Sequence, residues 1–230
     1  MIRLRKGTSP QILIANAKAW TRELLASVRR FGKPDQQIQG RYRHEEIKQA
    51  VTRDSHGKCI YCESKLRHVC FGDIEHLRPK SRYHEDTFAW RNLGLVCQVC
   101  NNSKRDRFDE AAPPVNPFEE DPNEFFVAFG ECVFARPGSE RGLAMIHLVN
   151  LNRADLIEVR RERIRQIHRI LCQLAVTKSA VARSVLEDEL KTNLRAEQEF
   201  AMVARCAAKA LAQPQHGAAI EYSVCPENEG

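Results

Sequence analysis

The sequence has no long apolar run. Nowhere do its 230 residues reach the roughly 20 consecutive apolar positions of a membrane-spanning helix, so no membrane role is expected. The opening Met1-Ile2-Arg3-Leu4-Arg5-Lys6 has no apolar stretch behind it, and no signal peptide is expected. Tryptophan is scarce, with two residues. There is no Gly-x-x-x-x-Gly-Lys loop, which excludes a phosphate-cradling ATP site of that type. Internal repeats and low-complexity tracts are absent as well. Nine cysteines are an odd number, four of them in metal-binding spacing. The other five (Cys70, Cys132, Cys172, Cys206 and Cys225) are scattered, which argues against a disulfide framework and fits a reducing cytoplasm. The remainder is ordinary for a globular chain, 43% hydrophobic and 29% charged, long enough for one large domain or two small ones.

Charge is unevenly spread. The net +6 divides as +7 over residues 1–50, +2 over 51–110, −4 over 111–150 and +1 over 151–230. The basic excess lies just before the paired cysteines. It suits a phosphate-holding surface or, equally, a solvated helical face.

Periodicity predicts helices at both ends. Leu13, Ala17, Trp20, Leu24 and Val28 share one helical face, with Ser9-Pro10 as N-cap and first residue. Trp20 reads as a core residue. A second helix is expected from about His44 to Ser55, closed by Gly57. Residues 73–77 and Leu93–Val96 read as strands around a polar loop, and Asn101 to about Asp109 as a helix. Asn116-Pro117 and Asp121-Pro122 mark a linker. Alternation at Phe125, Val127 and Phe129, then Cys132 and Phe134, predicts a hairpin turning at Gly130-Glu131. A long helix is expected with Asn152 as its cap and Asp155 at its third position. Its mostly apolar side carries Leu156, Val159, Arg163, Ile167, Leu171 and Leu174, and its other side Arg161, Arg165 and Arg169. A last helix runs from about Ser179 to Leu211, ended by Gln213-Pro214, with a loose tail from His216. The last helix is expected to fold back on the apolar side of the one before it.

The stretch from Cys59 to Lys104 carries the chemistry. Cys59-Ile60-Tyr61-Cys62 and Cys97-Gln98-Val99-Cys100 are two Cys-x-x-Cys turns, each able to offer two thiolates to one ion. Together they read as a structural Zn2+ site of four cysteines. Cys70 lies between them and reads as a buried free thiol rather than a spare ligand. The 34 residues between the pairs exceed a short zinc-ribbon gap, so something is built inside them. That insert holds Glu75-His76 and Asn92. His44, His56, His68, His84, His147, His168 and His216 stand in no such pattern.

Glu75-His76, Asn92, Asn101 and Lys104, set between two knuckles, resemble the HNH endonuclease family. The resemblance covers about 50 residues, placing an acidic residue and histidine, then asparagine, then asparagine just after a Cys-x-x-Cys, then lysine. It implies a ββα-metal fold in which two strands and a helix grip one divalent cation, Mg2+ or Mn2+. It implies His76 as general base, Glu75 and Asn101 as oxygen ligands of the catalytic ion, and Asn92 as the buttress that orients His76. Arg78, Lys80 and Lys104 are then the nucleic-acid contacts. Two departures stand out. Many members have aspartate before the histidine, and Asp73, on the same strand face as Glu75, is the alternative ligand. Asn101 stands where others have histidine. A looser likeness extends over most of the chain, through Trp20, Glu75-His76-Leu77-Arg78-Pro79-Lys80-Ser81, Trp90-Arg91-Asn92-Leu93 and Leu151-Asn152-Arg153. These stretches are similar to the HNH proteins of retron and Septu-type anti-phage systems.

The expected fold is predominantly α with a small zinc-stapled ββα-metal core, an α+β arrangement. Residues 1–55 form a basic helical arm, 56–115 the nuclease core, and 116–230 a hairpin and a helical C-terminal region. The expected activity is metal-dependent cleavage of DNA as a defence effector. The resemblance implies an ABC-type ATPase partner, docked on the helical region, or a reverse-transcriptase (retron) DNA–RNA element. Two other readings stay open: an inactive zinc-dependent nucleic-acid-binding or adaptor module, and an RNase toxin acting on tRNA.

Overall fold

The computed structural model describes residues 1–66 and 72–212. Cys70, the Gln213-Pro214 stop and the tail from His216 lie outside the described residues. The first helix, α1 (Gln11–Phe31), starts with Pro10 itself in the cap position, so Ser9 does not cap it. It ends where Gly32 adopts φ 69° and its N–H bonds to the Val28 carbonyl. Leu13 and Leu24 are buried, and Trp20 packs edge-on against Phe88 at 5.4 Å, the core role expected of it. A short α2 (Gln36–Gly40), capped by the Asp35 carboxylate, and a 3-10 turn at Arg41–Arg43 lead into α3 (Glu45–Asp54). Gly57, at φ 68°, closes α3 by bonding its N–H to Thr52 O at 2.7 Å.

Strands β1 (Asp73–His76) and β2 (Leu93–Val96) form an antiparallel pair, with Glu75 opposite Gly94 and His76 opposite Leu93. A Cβ on Gly94 would meet Ile60 Cδ1 at 2.6 Å, so a bare glycine lets the first knuckle lie flat on the pair. The helix α4 (Gln98–Lys104) begins three residues earlier than periodicity suggested. Cys97 is its N-cap, with Sγ accepting from Cys100 N, so the second knuckle is the helix's own first turn. It also stops early, because Arg105 leaves helical geometry at φ 53° and ψ −129°.

The hairpin of β3 (Phe126–Phe129) and β4 (Cys132–Ala135) forms as expected. An unexpected helix, α5 (Glu140–Leu148), follows, capped by Ser139. Asn152 does not cap α6 (Ala154–Val176). Arg153 holds that position, and the Asn152 amide is spent on both backbone groups of Val133, at 2.9 and 2.8 Å. On α6 the buried residues are Leu156, Arg160, Ile167, Ile170 and Leu174, while Val159 faces solvent. The single C-terminal helix expected from Ser179 is two, α7 (Ala180–Asn193) and α8 (Ala201–Ala212). The chain breaks between them so that Phe200 can enter the core at φ 50°, and Ala201–Ala204 can pack where α6 and β3 meet. A straight helix cannot do this while keeping Leu190 and Leu194 beside Ile167.

One apolar cluster joins Met1, Leu24, Val51, Tyr61, Leu95, Met145 and Met202. The β1–β2 pair and α4 are thus braced from both ends of the chain. Lys58, 2% exposed, donates to Ala196 O and Gln198 O, and Lys65 N donates to Glu199 Oε1.

Candidate active site and metal centre

The four cysteine sulfurs of the two knuckles converge. All lie within 4.8 Å of one another, and Cys62 and Cys97 approach to 3.8 Å. Four ligands at the usual Zn–S distance of about 2.3 Å stand about 3.8 Å apart on a tetrahedron. The donor set and its spread therefore fit zinc. Arg153, at the head of α6, points its guanidinium at Cys100 Sγ across 3.7 Å, a cation beside a thiolate-rich centre. Sequence reasoning did not assign it this place.

The zinc centre fixes β2 and α4, and these fix the cleft beside β1. The cleft holds about 890 Å³ and is lined by Tyr42, Arg43, Asp73, Glu75, His76, Lys80, Asn101 and Arg105, among others. His76 closes β1 and is 5% exposed. Its Nε2 lies 3.0 Å from the Thr87 carbonyl oxygen, and its ring meets the Tyr42 ring edge-on at 4.6 Å. Burial first, then the cations Lys80, Lys104 and Arg43, push its pKa down to about 3. The ring is neutral throughout the ordinary pH range.

Asn92 works at the base of the 16-residue loop between the strands. Its Oδ1 accepts from Arg78 N at 2.7 Å, and its Nδ2 donates to Arg78 O and Asp86 O at 3.0 and 3.1 Å. The loop it ties carries Thr87, the residue that orients His76.

The carboxylates have different surroundings. Glu75 is buried and ion-paired, with Lys104 Nζ at 2.7 Å and Tyr61 Oη at 3.4 Å. Burial raises its pKa although Lys104 opposes the shift. Asp73 is more open and accepts from Asn101 Nδ2 at 2.9 Å. That bond leaves Asn101 Oδ1 as an oxygen donor beside two carboxylates, a set suited to a hard divalent cation.

The three cations named from the sequence are placed differently. Lys80 lines the cleft. Arg78 lies outside it, on Asp86 at 2.6 Å and over the Tyr83 ring. Lys104 is wholly buried, bonded to Glu75 and to His76 O, with no face to solvent. Sequence reasoning missed Tyr42, Arg43, Thr87 and Arg105. An aromatic residue between two arginines, Arg41-Tyr42-Arg43, was the one available signal, and Thr87 contributes only a backbone oxygen.

The HNH endonuclease family model matches residues 59–107. A Septu protein PtuB from Bacillus thuringiensis is 29% identical over 157 residues, 67% of this chain and 56% of that protein. A Septu protein PtuB from Bacillus mycoides (strain KBAB4) is 30% identical over 151 residues, 52% of this chain and 51% of that protein. The chain spans about half the length of these relatives. With both knuckles, the β1–β2 pair, α4 and His76 gathered in the matched stretch, residues 59–107 are an HNH endonuclease domain, carried in a chain similar to the Septu proteins.

Proposed function

We propose that the protein is a metal-dependent endonuclease that hydrolyses phosphodiester bonds in DNA, with His76 as its general base. The observation that carries this reading is the buried His76 imidazole, held beside the oxygen donors Asp73, Glu75 and Asn101 in one cleft. A carbonyl oxygen only accepts, so His76 Nε2 carries the ring proton against Thr87 O and Nδ1 keeps its lone pair. A neutral imidazole can take a proton from the attacking water. A bound Mg2+ or Mn2+ would stabilise the charge on the phosphorane and on the leaving oxygen. Glu75 and Asn101 are its ligands in this reading. Asp73 takes the Asn101 amide proton and so presents Asn101 Oδ1, and is itself the alternative ligand. Asn92 holds the loop that orients His76, and Lys80 is the cation of the motif that meets phosphate. We also read the protein as the effector of a Septu-type anti-phage system, working beside an ABC-type ATPase. Similarity to the two PtuB proteins supports this, and neither name speaks for a reverse-transcriptase element.

The test is nicking of supercoiled plasmid with Mg2+ or Mn2+, beside a panel of linear DNA, RNA and tRNA. His76→Ala should lose about 10²–10⁴ in rate with zinc content unchanged. Cleavage should not fall as pH drops from 7.5 to 5.5. A histidine at its ordinary pKa of about 6.5 would protonate in that window, but His76 protonates only near 3, and a bound cation would lower it further. Normal cleavage by His76→Ala would sink the mechanism, whereas an acid limb centred near pH 6.5 would show that His76 titrates as an ordinary imidazole in the metal-loaded protein. Cleavage of tRNA alone would move the substrate to RNA.

A further inference from the structure

Arg105 is held where side chains are rarely tolerated. At φ 53° and ψ −129° it occupies backbone space that glycine visits freely and other residues avoid. Its N–H still bonds to Asn101 O at 2.8 Å, so the turn that ends α4 dictates the conformation. A glycine would serve that turn better. The residue there is instead an exposed arginine lining the cleft that contains His76. Arg43, Lys48 and Lys80 line the same cleft. Arg43 lies over the Tyr42 ring at 5.0 Å and Lys80 over it at 5.4 Å, and the edge contact of Tyr42 with His76 puts both beside the base. Outside the cleft, Arg41, Arg78, Arg141 and Arg161 are ion-paired to carboxylates, while others, such as Arg82 and Arg136, bond to backbone oxygens. Among the described residues, Arg43, Lys80 and Arg105 have no ion-pair partner, although Glu45 and Asp106 also line the cleft.

We propose that Arg43, Lys80 and Arg105 form a clamp for the backbone phosphates next to the one cut, and that the strained backbone at Arg105 is kept for this contact. The proposal rests on the nuclease reading and deepens it. Arg43 comes from the N-terminal arm, outside the matched 59–107 stretch, so the arm supplies part of the substrate site. Three charges from three separate elements would grip the strand whatever its sequence, through counterion release rather than base contacts.

The test is binding of a short DNA duplex by full-length His76→Ala protein in magnesium-free buffer, over a range of salt. Arg105→Gly in that background should bind several-fold more weakly, with a salt slope shallower by about 1. It should melt no lower than its parent, because glycine relieves the turn. Arg105→Lys, which keeps the charge on the same backbone, should keep most of the affinity and the slope. Unchanged binding by Arg105→Gly would overturn the clamp. So would weaker binding accompanied by a lower melting temperature, which would make Arg105 a packing residue, or no duplex binding by the His76→Ala parent. Plasmid cleavage by the unaltered chain judges the nuclease reading separately.

Discussion

The Glu75–Lys104 pair shows how one residue type can be legible and its role not. Lysine three positions after Asn101 fits the motif, and exposed it would meet phosphate. Packing of α4 against β1 buries it completely and points its ammonium at Glu75, 2.7 Å away. A buried pair of this kind repays desolvation only while both partners are present. Lys104→Met should therefore cost about 3–5 kcal/mol in urea denaturation, by leaving a buried carboxylate uncompensated. Glu75→Gln added to it should restore most of that loss, since a neutral amide needs no cation. Equal stability of the single variant and the parent would show that the pair holds nothing together. The pair also bears on catalysis, because a Glu75 that serves the cation does so with Lys104 at its other side.

At the scale of elements, the loop between β1 and β2 decides whether His76 is aimed. The loop is long, yet Asn92 satisfies three backbone groups across its base, and Arg78 binds Asp86 within it. Asn92→Ala removes those bonds, at roughly 1–3 kcal/mol for the groups left unpaired. The expected result is a large fall in turnover, about 10²-fold for a misplaced base, with zinc content unchanged and a modest drop in melting temperature. Activity at the parent level would separate the loop from His76. The position of Asn92 was legible because its spacing from His76 and the second knuckle fits a motif. Its partners are mostly backbone atoms, which no side-chain pattern reveals. The same blindness explains the late start expected for α4, since a cysteine that caps a helix and binds a metal reads only as a ligand.

For the whole molecule, the zinc centre is where the segments meet. The knuckles hold β2 and α4, Lys58 and Lys65 tie the first knuckle to residues 196–199, and Arg153 reaches Cys100 from α6. Removing the metal should then loosen the C-terminal helices along with the HNH core. We expect one zinc per chain by metal analysis. Cys97→Ser, which takes both a ligand and the cap of α4, should give unfolded or insoluble protein rather than a folded enzyme with a clean catalytic defect. A soluble Cys97→Ser protein with parental helicity and no zinc would show that packing alone holds the core.

By itself the sequence determined what is local or set by spacing: the four-cysteine cluster, the two strands, the positions of Glu75-His76, Asn92 and Asn101, the face of α1 and, in part, that of α6, where Leu156, Ile167 and Leu174 are buried but Val159 is not. Each follows from a short-range rule, the reach of two thiolates in a turn or the repeat of a strand or helix. The tertiary structure alone decided which cations face the cleft. It buried Lys104, turned Arg78 to Asp86, brought Arg43 in from the N-terminal arm and held Arg105 in a glycine-like turn. It also broke the last helix at Phe200 and spent Asn152 on a strand edge. These outcomes depend on which distant segments share one apolar cluster, and periodicity along the chain carries no information about that.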